Sequence, residues 1–451
     1  MQNHNIEAFD EFEFILAAED FPDDAFKLYH VFSSYEDKII RKLISHSPIL
    51  LRGGRGSGKS TLLKEAYYRI NNNTSIGEKI FPIYLSLRSL PLLKYKEQKY
   101  ESHFCRLLIN RIRDEIKEKL KETYYFEPEA EIEEIQKALC DLATHIQKRI
   151  ILFFDDAAHI GRETSLKEFF DIFRTLSSNL VSCKAAIYPG VTEFGPRFDL
   201  LNDANVIEIA RNEERNSFSE FFHNIMKIRY PKVFIKERFT TVSFEDVANF
   251  LGRSVCGNVR AFIYACNYIS EQFEDDNINL PELEKTLKYL AIEYYWPLLE
   301  ELKPKLGCYE PLIEPTKFIA EHIYKEVSQS MDKNEYGPSC LIHRDHVEKL
   351  KKIFELLEYT GFLVKRDASR AMKSGGRGVR YIVNLCNIME LLPNSRLTHD
   401  LFKKLLSSEK VYTEIHRGSF LDKVELPDVN EAKDLGILNM EIDTLKKSKA
   451  Y

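Results

Sequence analysis

The chain has 451 residues, of which 44% are hydrophobic and 30% charged, with a formal net charge of −6. That length is more than one core usually organises, so two or three domains are expected. Its longest apolar runs, such as residues 150–154, fall well short of the roughly 20 residues a membrane span needs, and the first residues lack a basic-then-apolar leader. A cytoplasmic protein without membrane contact is therefore expected. The eight cysteines stand singly with no C-x-x-C pair, which argues against a zinc site or disulfide framework. The acidic balance excludes a uniformly basic surface, so any contact with nucleic acid must come from a local patch.

Residues 1–25 hold eight acidic residues and no Lys or Arg, and residues 1–28 read as an acidic arm. From Pro48 a short apolar strand runs directly into Gly53-Gly54-Arg55-Gly56-Ser57-Gly58-Lys59-Ser60-Thr61, after which residues 62–70 read as helix. Residues 81–87 read as a second strand. Phe104, Leu108, Ile112, Ile116 and Leu120, four apart, predict an amphipathic helix. Residues 150–154 form an apolar strand ending in Asp155-Asp156. A helix near 166–180 and strands at 185–188 and 206–209 follow. Strands alternating with helices over residues 29–210 predict an α/β domain with a parallel sheet covered on both faces.

Residues 211–303 are mostly helical in pattern, and Pro304, Gly307 and Pro311 mark a linker. Beyond it, Val347, Leu350, Phe354 and Leu357 form one helical stripe that Gly361 ends. Residues 362–366 and 378–383 then flank a polar, glycine-rich loop. Helix followed by long hairpin predicts a winged helix within residues 304–395, with residues 396–451 left as a helical extension or tail.

The G-x-x-x-x-G-K-[ST] pattern carries its own chemistry. Glycines let backbone N–H groups turn toward phosphate oxygens, Lys59 would hold the β and γ phosphates, and Ser60 would give a hydroxyl to Mg²⁺. Asp155 would orient the metal's water ligands from the opposite side. ATP and Mg²⁺ are the implied cofactors. Asp156 sits where related ATPases place the carboxylate, usually a glutamate, that orients or deprotonates the attacking water. Its shortness relative to glutamate predicts slow turnover, and helping to hold Mg²⁺ or capping the next helix is the alternative role.

With these residues in place, the stretch from about Tyr29 to Leu392 resembles the AAA+ ATPases, in the branch containing the origin recognition complex and its bacterial and archaeal relatives. The resemblance implies a P-loop core, an all-helical lid and a C-terminal winged helix. It gives Arg260, in Gly257-Asn-Val-Arg260, the γ-phosphate-sensing role of the lid arginine. It makes Arg197 the candidate finger reaching a neighbouring subunit, and Thr192 the candidate polar sensor after the fourth strand, with Tyr188 the other polar residue nearby.

Lys365, Arg366, Arg370, Lys373, Arg377 and Arg380 surround Ser374-Gly375-Gly376, a pattern suited to straddling a duplex DNA backbone; a solvated hairpin or a protein-contacting winged helix is the alternative. His343 and His346 have helix-compatible metal spacing without an assignable third ligand, and Trp296 reads as domain packing.

Three functional readings stay open. The first is an ATPase of origin-recognition type that couples nucleotide state to DNA, as a homo-oligomer or with a heteromeric partner such as a nuclease effector. Replication, transposition control and bacterial antiviral defence are its settings. The second is a STAND-type nucleotide-gated protein switch, and the third an ATP-stabilised scaffold. Arginine at position 260, where STAND lids usually carry a proline-bearing glycine motif, favours the first.

Overall fold

A computed structural model describes residues 15–88, 90, 98–120, 124–158, 163–190, 194–273, 276–332, 337–391, 396–407 and 412–427. The chain divides into two compact units, residues 1–211 with 215–232, and residues 212–214 with 233–451.

The first unit opens with packed structure. Phe21, Phe26 and Tyr29, on and before helix α1 (Asp23–Tyr29), are buried in one cluster with Tyr68. Asp23 and Asp24 occupy the first turn of α1, where the helix dipole favours negative charge, so these two acids support local structure. Helix α2 (Ser34–Ile44) starts with a capping box in which Ser33 and Glu36 satisfy each other's end of the helix.

Five strands then form the sheet: β1 (Ile49–Arg52), β2 (Ile80–Ser86), β3 (Arg149–Ala158), β4 (Val181–Ile187) and β5 (Asn205–Glu208). Their order is β2-β3-β4-β1-β5, and every pairing is parallel. Helices α3 (Lys59–Asn72), α4 (Gln98–Lys119), α5 (Ile132–Ile146), α6 (Glu163–Leu176) and α7 (Asn216–Arg229) are further helices of the unit. Parallel strands covered on both faces need continuous apolar sequence, and residues 150–154 are all buried. Phe104 on α4, Phe154 on β3 and Phe169 on α6 meet with ring centroids 5.5 to 6.3 Å apart.

Strand β4 begins earlier than its apolar run suggests, because Ser182 and Lys184 are polar yet fully buried. The Lys184 ammonium donates to the carbonyls of Ser45 and Ser47 and to the Ser182 hydroxyl, while burial pulls its pKa down to about 7.

The second unit contains helices α8 (Phe244–Ser254), α9 (Val259–Gln272), α10 (Leu280–Leu290) and α11 (Ile313–Asp332), then a sheet of β6 (Ser339–His343), β7 (Leu363–Ala371), β8 (Arg377–Val383) and β9 (Thr413–Ile415), ordered β7-β8-β6-β9. Strands β7 and β8 form an antiparallel hairpin, β8 pairs antiparallel with β6, and β9 joins β6 in parallel. The helical stripe read over residues 347–357 breaks at Leu350 into Arg344–Lys349 and α12 (Lys351–Thr360). Gly361, at φ +82°, ends α12 as expected. Strand β9, which lies in the stretch read as extension or tail, has no signal of its own in three residues.

Candidate functional site

The strand order places β4 between β1 and β3, with Arg52 beside Ile187 and Ile187 beside Ala158. The loop leaving β1 and the acids ending β3 therefore come out at one edge of the sheet. At that edge Ser60, on the first turn of α3, donates to Asp155 Oδ1 at 3.1 Å. Asp155 is fully buried. Its Oδ1 also accepts the Asp156 N–H at 2.9 Å, and its Oδ2 accepts the Tyr84 hydroxyl at 2.6 Å. Tyr84 lies half-buried on β2, adjacent to β3, and is a supporting residue that sequence reading missed.

Lys59 is 6% exposed, and its ammonium donates to the carbonyls of Gly53 (2.9 Å) and Gly54 (3.0 Å) while lying 3.6 Å from the Tyr188 ring centre. A cation held in this way inside a curled loop is suited to an anionic ligand. Two glycines are sterically required. A Cβ on Gly53 would come within 2.6 Å of Ser57 Oγ and 3.2 Å of Ile209 Cβ, and Gly58 sits at φ +93°, the left-handed region. The Ser57 hydroxyl is buried without a hydrogen-bond partner among the described residues. A serine hydroxyl and a buried carboxylate are hard oxygen ligands. Together with the lysine and the partnerless hydroxyl, they fit a Mg²⁺-bound polyphosphate.

Asp156 adopts φ +53°, and the β3–β4 register shifts between Phe154 and Ala158. The strand is bulged at the acid pair, which turns the second acid's backbone out of the regular pleat. Aspartate tolerates left-handed backbone better than glutamate, which gives a local reason for the shorter acid at this position.

Arg197 is exposed in the segment between β4 and β5. Phe194 and Phe198 flank it and pack on Phe170 with centroids 4.7 and 5.2 Å away, so the segment carrying the arginine is anchored by aromatic contacts. Thr192 lies outside the described residues. In the second unit, Arg260 is half-buried in the first turn of α9, behind the Asn258 cap, which accepts the Ala261 N–H at 3.1 Å.

A further arginine was not anticipated. Arg211, just past β5, is 7% exposed and pairs with the buried Glu36 at 2.8 Å; it also donates to the Ser57 carbonyl at 2.9 Å. Charge alone gives no sequence signal for it, since its partners are 154 and 175 residues away.

The six basic residues of the β7–β8 hairpin separate into two groups. Lys365, Lys373 and Arg377 are exposed. Arg366 pairs with Glu213 at 2.6 Å, both side chains being nearly buried at 10% and 14% exposure. Arg380 and Arg370 flank Asp367 at 3.6 and 3.2 Å. The tip is also tied down: Glu414 on β9 accepts the Lys373 N–H at 3.0 Å, and Ser374 meets His416 at 2.6 Å. His343 caps the following helix by accepting the Asp345 N–H, and His346 contacts the His416 carbonyl at 3.1 Å. Trp296 donates to Glu390 and packs on Phe362.

No protein-family model matches the chain, and no curated protein matches it. Solved structures do show similarity. The ORC1 protein of Aeropyrum pernix in complex with DNA is 11% identical, with 87% of this chain and 96% of that chain covered and a TM-score of 0.38. Drosophila ORC bound to DNA is 8% identical, covering 84% and 89%, with a TM-score of 0.35. Domain III of the replication initiation protein DnaA of Thermotoga maritima is 18% identical, covering 61% and 95%, with a TM-score of 0.31. The fold and site define an α/β protein with a P-loop on a parallel sheet. Among the described residues, no helix is long and apolar enough to cross a membrane.

Proposed function

We propose that the chain is an AAA+ ATPase of the origin-recognition branch that binds ATP·Mg²⁺ at Gly53–Thr61 and hydrolyses it slowly. One observation carries this reading: the Ser60 hydroxyl converges on buried Asp155 beside the loop-wrapped Lys59 ammonium. In the proposal, the loop N–H groups and Lys59 bind phosphate oxygens, Ser60 and Asp155 hold the metal, and Asp156 positions the attacking water. Bound Mg²⁺ would supply charge neutralisation at the phosphates. Tyr188 is a more direct candidate than Thr192 for a polar sensor, because its ring already lies over Lys59. Arg260 as the lid sensor and Arg197 as a finger acting in a neighbouring subunit belong to the same reading.

Helix α12, the β7–β8 hairpin and strands β6 and β9 support a winged helix. We assign duplex DNA contact to its exposed Lys365, Lys373 and Arg377. A partner supplying a separate effector activity, of nuclease class, and antiviral defence in the cytoplasm as the setting belong to the same proposal.

A protein-gated switch of STAND type is the second reading. It is favoured by the ion pairs that occupy Arg366 and Arg380 and by the tethered hairpin tip. ATP turnover with and without duplex DNA, with Lys59→Ala as the blank, separates the two. Stimulation by DNA supports the DNA-coupled ATPase. Turnover above the blank but indifferent to DNA moves the assignment to the switch, and turnover equal to the blank removes the ATPase claim.

A further inference from the structure

We infer that Arg211 is a positioning residue for the phosphate loop, acting through the Ser57–Gly58 peptide; the inference rests on the nucleotide reading of that loop. The guanidinium is fixed on three sides. Its Nε donates to Glu36 Oε1 at 2.8 Å, its face lies over the Phe221 ring with the guanidinium carbon 4.6 Å from the centroid, and its Nη1 donates to the Ser57 carbonyl at 2.9 Å. Glu36 is itself held, since its other oxygen accepts the Ser33 N–H at 3.0 Å in the capping box of α2. The neighbouring Tyr35 hydroxyl accepts the Ala210 N–H at 2.9 Å, which pins the backbone just before Arg211.

The consequence follows from peptide geometry. In a planar trans peptide the C=O of one residue and the N–H of the next point in opposite directions. Holding the Ser57 carbonyl on Arg211 therefore aims the Gly58 N–H away from Arg211. Gly58 is the last loop glycine before Lys59, the residue whose N–H a phosphate-binding loop presents. A side chain at this position is strained because Gly58 is left-handed at φ +93°; its Cβ would meet Arg211 Nη2 only at an ordinary contact distance of 3.5 Å. Glu36 balances the charge of Arg211, so the arginine orders the loop more than it adds attraction. A planar, multi-donor guanidinium can serve carboxylate and carbonyl at once, which the single ammonium of lysine does poorly.

The test uses the full chain with Arg211→Lys, Arg211→Ala and, as a packing control, Phe221→Leu, which trims the ring beneath the guanidinium and leaves its bonds to Glu36 and the Ser57 carbonyl in place. Loss of a buried charge-assisted hydrogen bond that orders the binding loop should raise both the KM for ATP and the Kd for ADP about tenfold or more in the arginine variants, by similar factors. The kcat at saturation should stay within about twofold, because Ser60, Asp155 and Asp156 are untouched. Phe221→Leu should lower the melting temperature while leaving Kd near wild type. Arg211→Lys keeps a charge opposite Glu36 and serves if the alanine variant fails to fold. Folded Arg211→Lys protein with unchanged nucleotide affinity would overturn the inference, as would a Phe221→Leu control that weakens binding equally. Wild-type protein binding ADP no better than Lys59→Ala would instead remove the nucleotide reading itself.

Discussion

Ser60 and Asp155 stand hydrogen-bonded at 3.1 Å although 95 residues separate them, because β4 spaces the strand ending at the P-loop from the strand ending in the acid. Asp155→Asn keeps an oxygen for Ser60 and for the Asp156 N–H while removing the charge that would face a metal. The variant should fold, bind nucleotide without Mg²⁺ much as wild type does, and lose turnover by about a hundredfold or more. Titrating nucleotide with and without Mg²⁺ checks it. An Asp155→Asn protein that hydrolyses ATP at the normal rate would place the metal elsewhere.

Asp156 supplies a second separation of folding from chemistry. Its φ of +53° costs a non-glycine residue roughly 1 kcal/mol, less for aspartate than for most. Asp156→Gly should therefore leave the melting temperature unchanged or higher while abolishing turnover. Asp156→Glu should destabilise by about 1 kcal/mol even though it keeps a carboxylate. Thermal unfolding beside ATP turnover decides this; a destabilised glycine variant would show that the conformation is not strained.

These two acids were legible in the sequence because a buried parallel strand writes itself as a continuous apolar run, and its end is where the polar residues begin. The P-loop was legible for a similar reason, since glycine spacing records backbone geometry directly. Tyr84 and Arg211 were not, and Tyr188 was read only as a polar residue near the sensor position. Each reaches the site from a different strand edge, and only the sheet order shows that those edges meet. Lys184 hid the start of β4, because a buried ammonium satisfied by three oxygens looks like a solvated charge in one dimension. The same confusion ran the other way in the hairpin, where Arg366 and Arg380 read as free cations and are held by acids on distant or cross-strand positions.

That distinction gives the hairpin a discriminating test. Replacing Lys365, Lys373 and Arg377 together by alanine should weaken duplex DNA binding and reduce the slope of log K against log salt by about 2 to 3, with little change in stability. Arg380→Ala, which strips the partly exposed Asp367 of one partner, should lower stability by about 1–2 kcal/mol and leave the salt slope near wild type. Salt-dependent fluorescence anisotropy with chemical denaturation measures both. Equal salt slopes in the triple variant and wild type would remove the hairpin from the DNA interface.

His30 predicts how the first unit responds to acid. The ring stacks on Phe26 with centroids 4.1 Å apart, meets Phe21 edge-on, and its Nδ1 lies 2.8 Å from the Phe26 carbonyl, a contact suited to the neutral imidazole donating. Burial, reinforced by the positive charges of Arg229 and Lys64, pulls its pKa from the usual 6.5 down to about 4. Between those values the unfolded chain binds a proton that the folded chain refuses. The resulting destabilisation is therefore absent above the unfolded pKa, grows as pH falls through the window, and levels off once the folded ring also titrates. His30→Phe keeps an aromatic ring in the cluster and removes the titration. Urea midpoints for the two proteins should therefore differ by an amount that changes steadily between about pH 7 and pH 4.5, the wild type losing more stability on acidification. Common carboxylate titration cancels in that difference. Parallel pH profiles for the two proteins would show that the imidazole takes up its proton in the folded state as readily as in water, and that its place among Phe21 and Phe26 is open enough to solvate the charge.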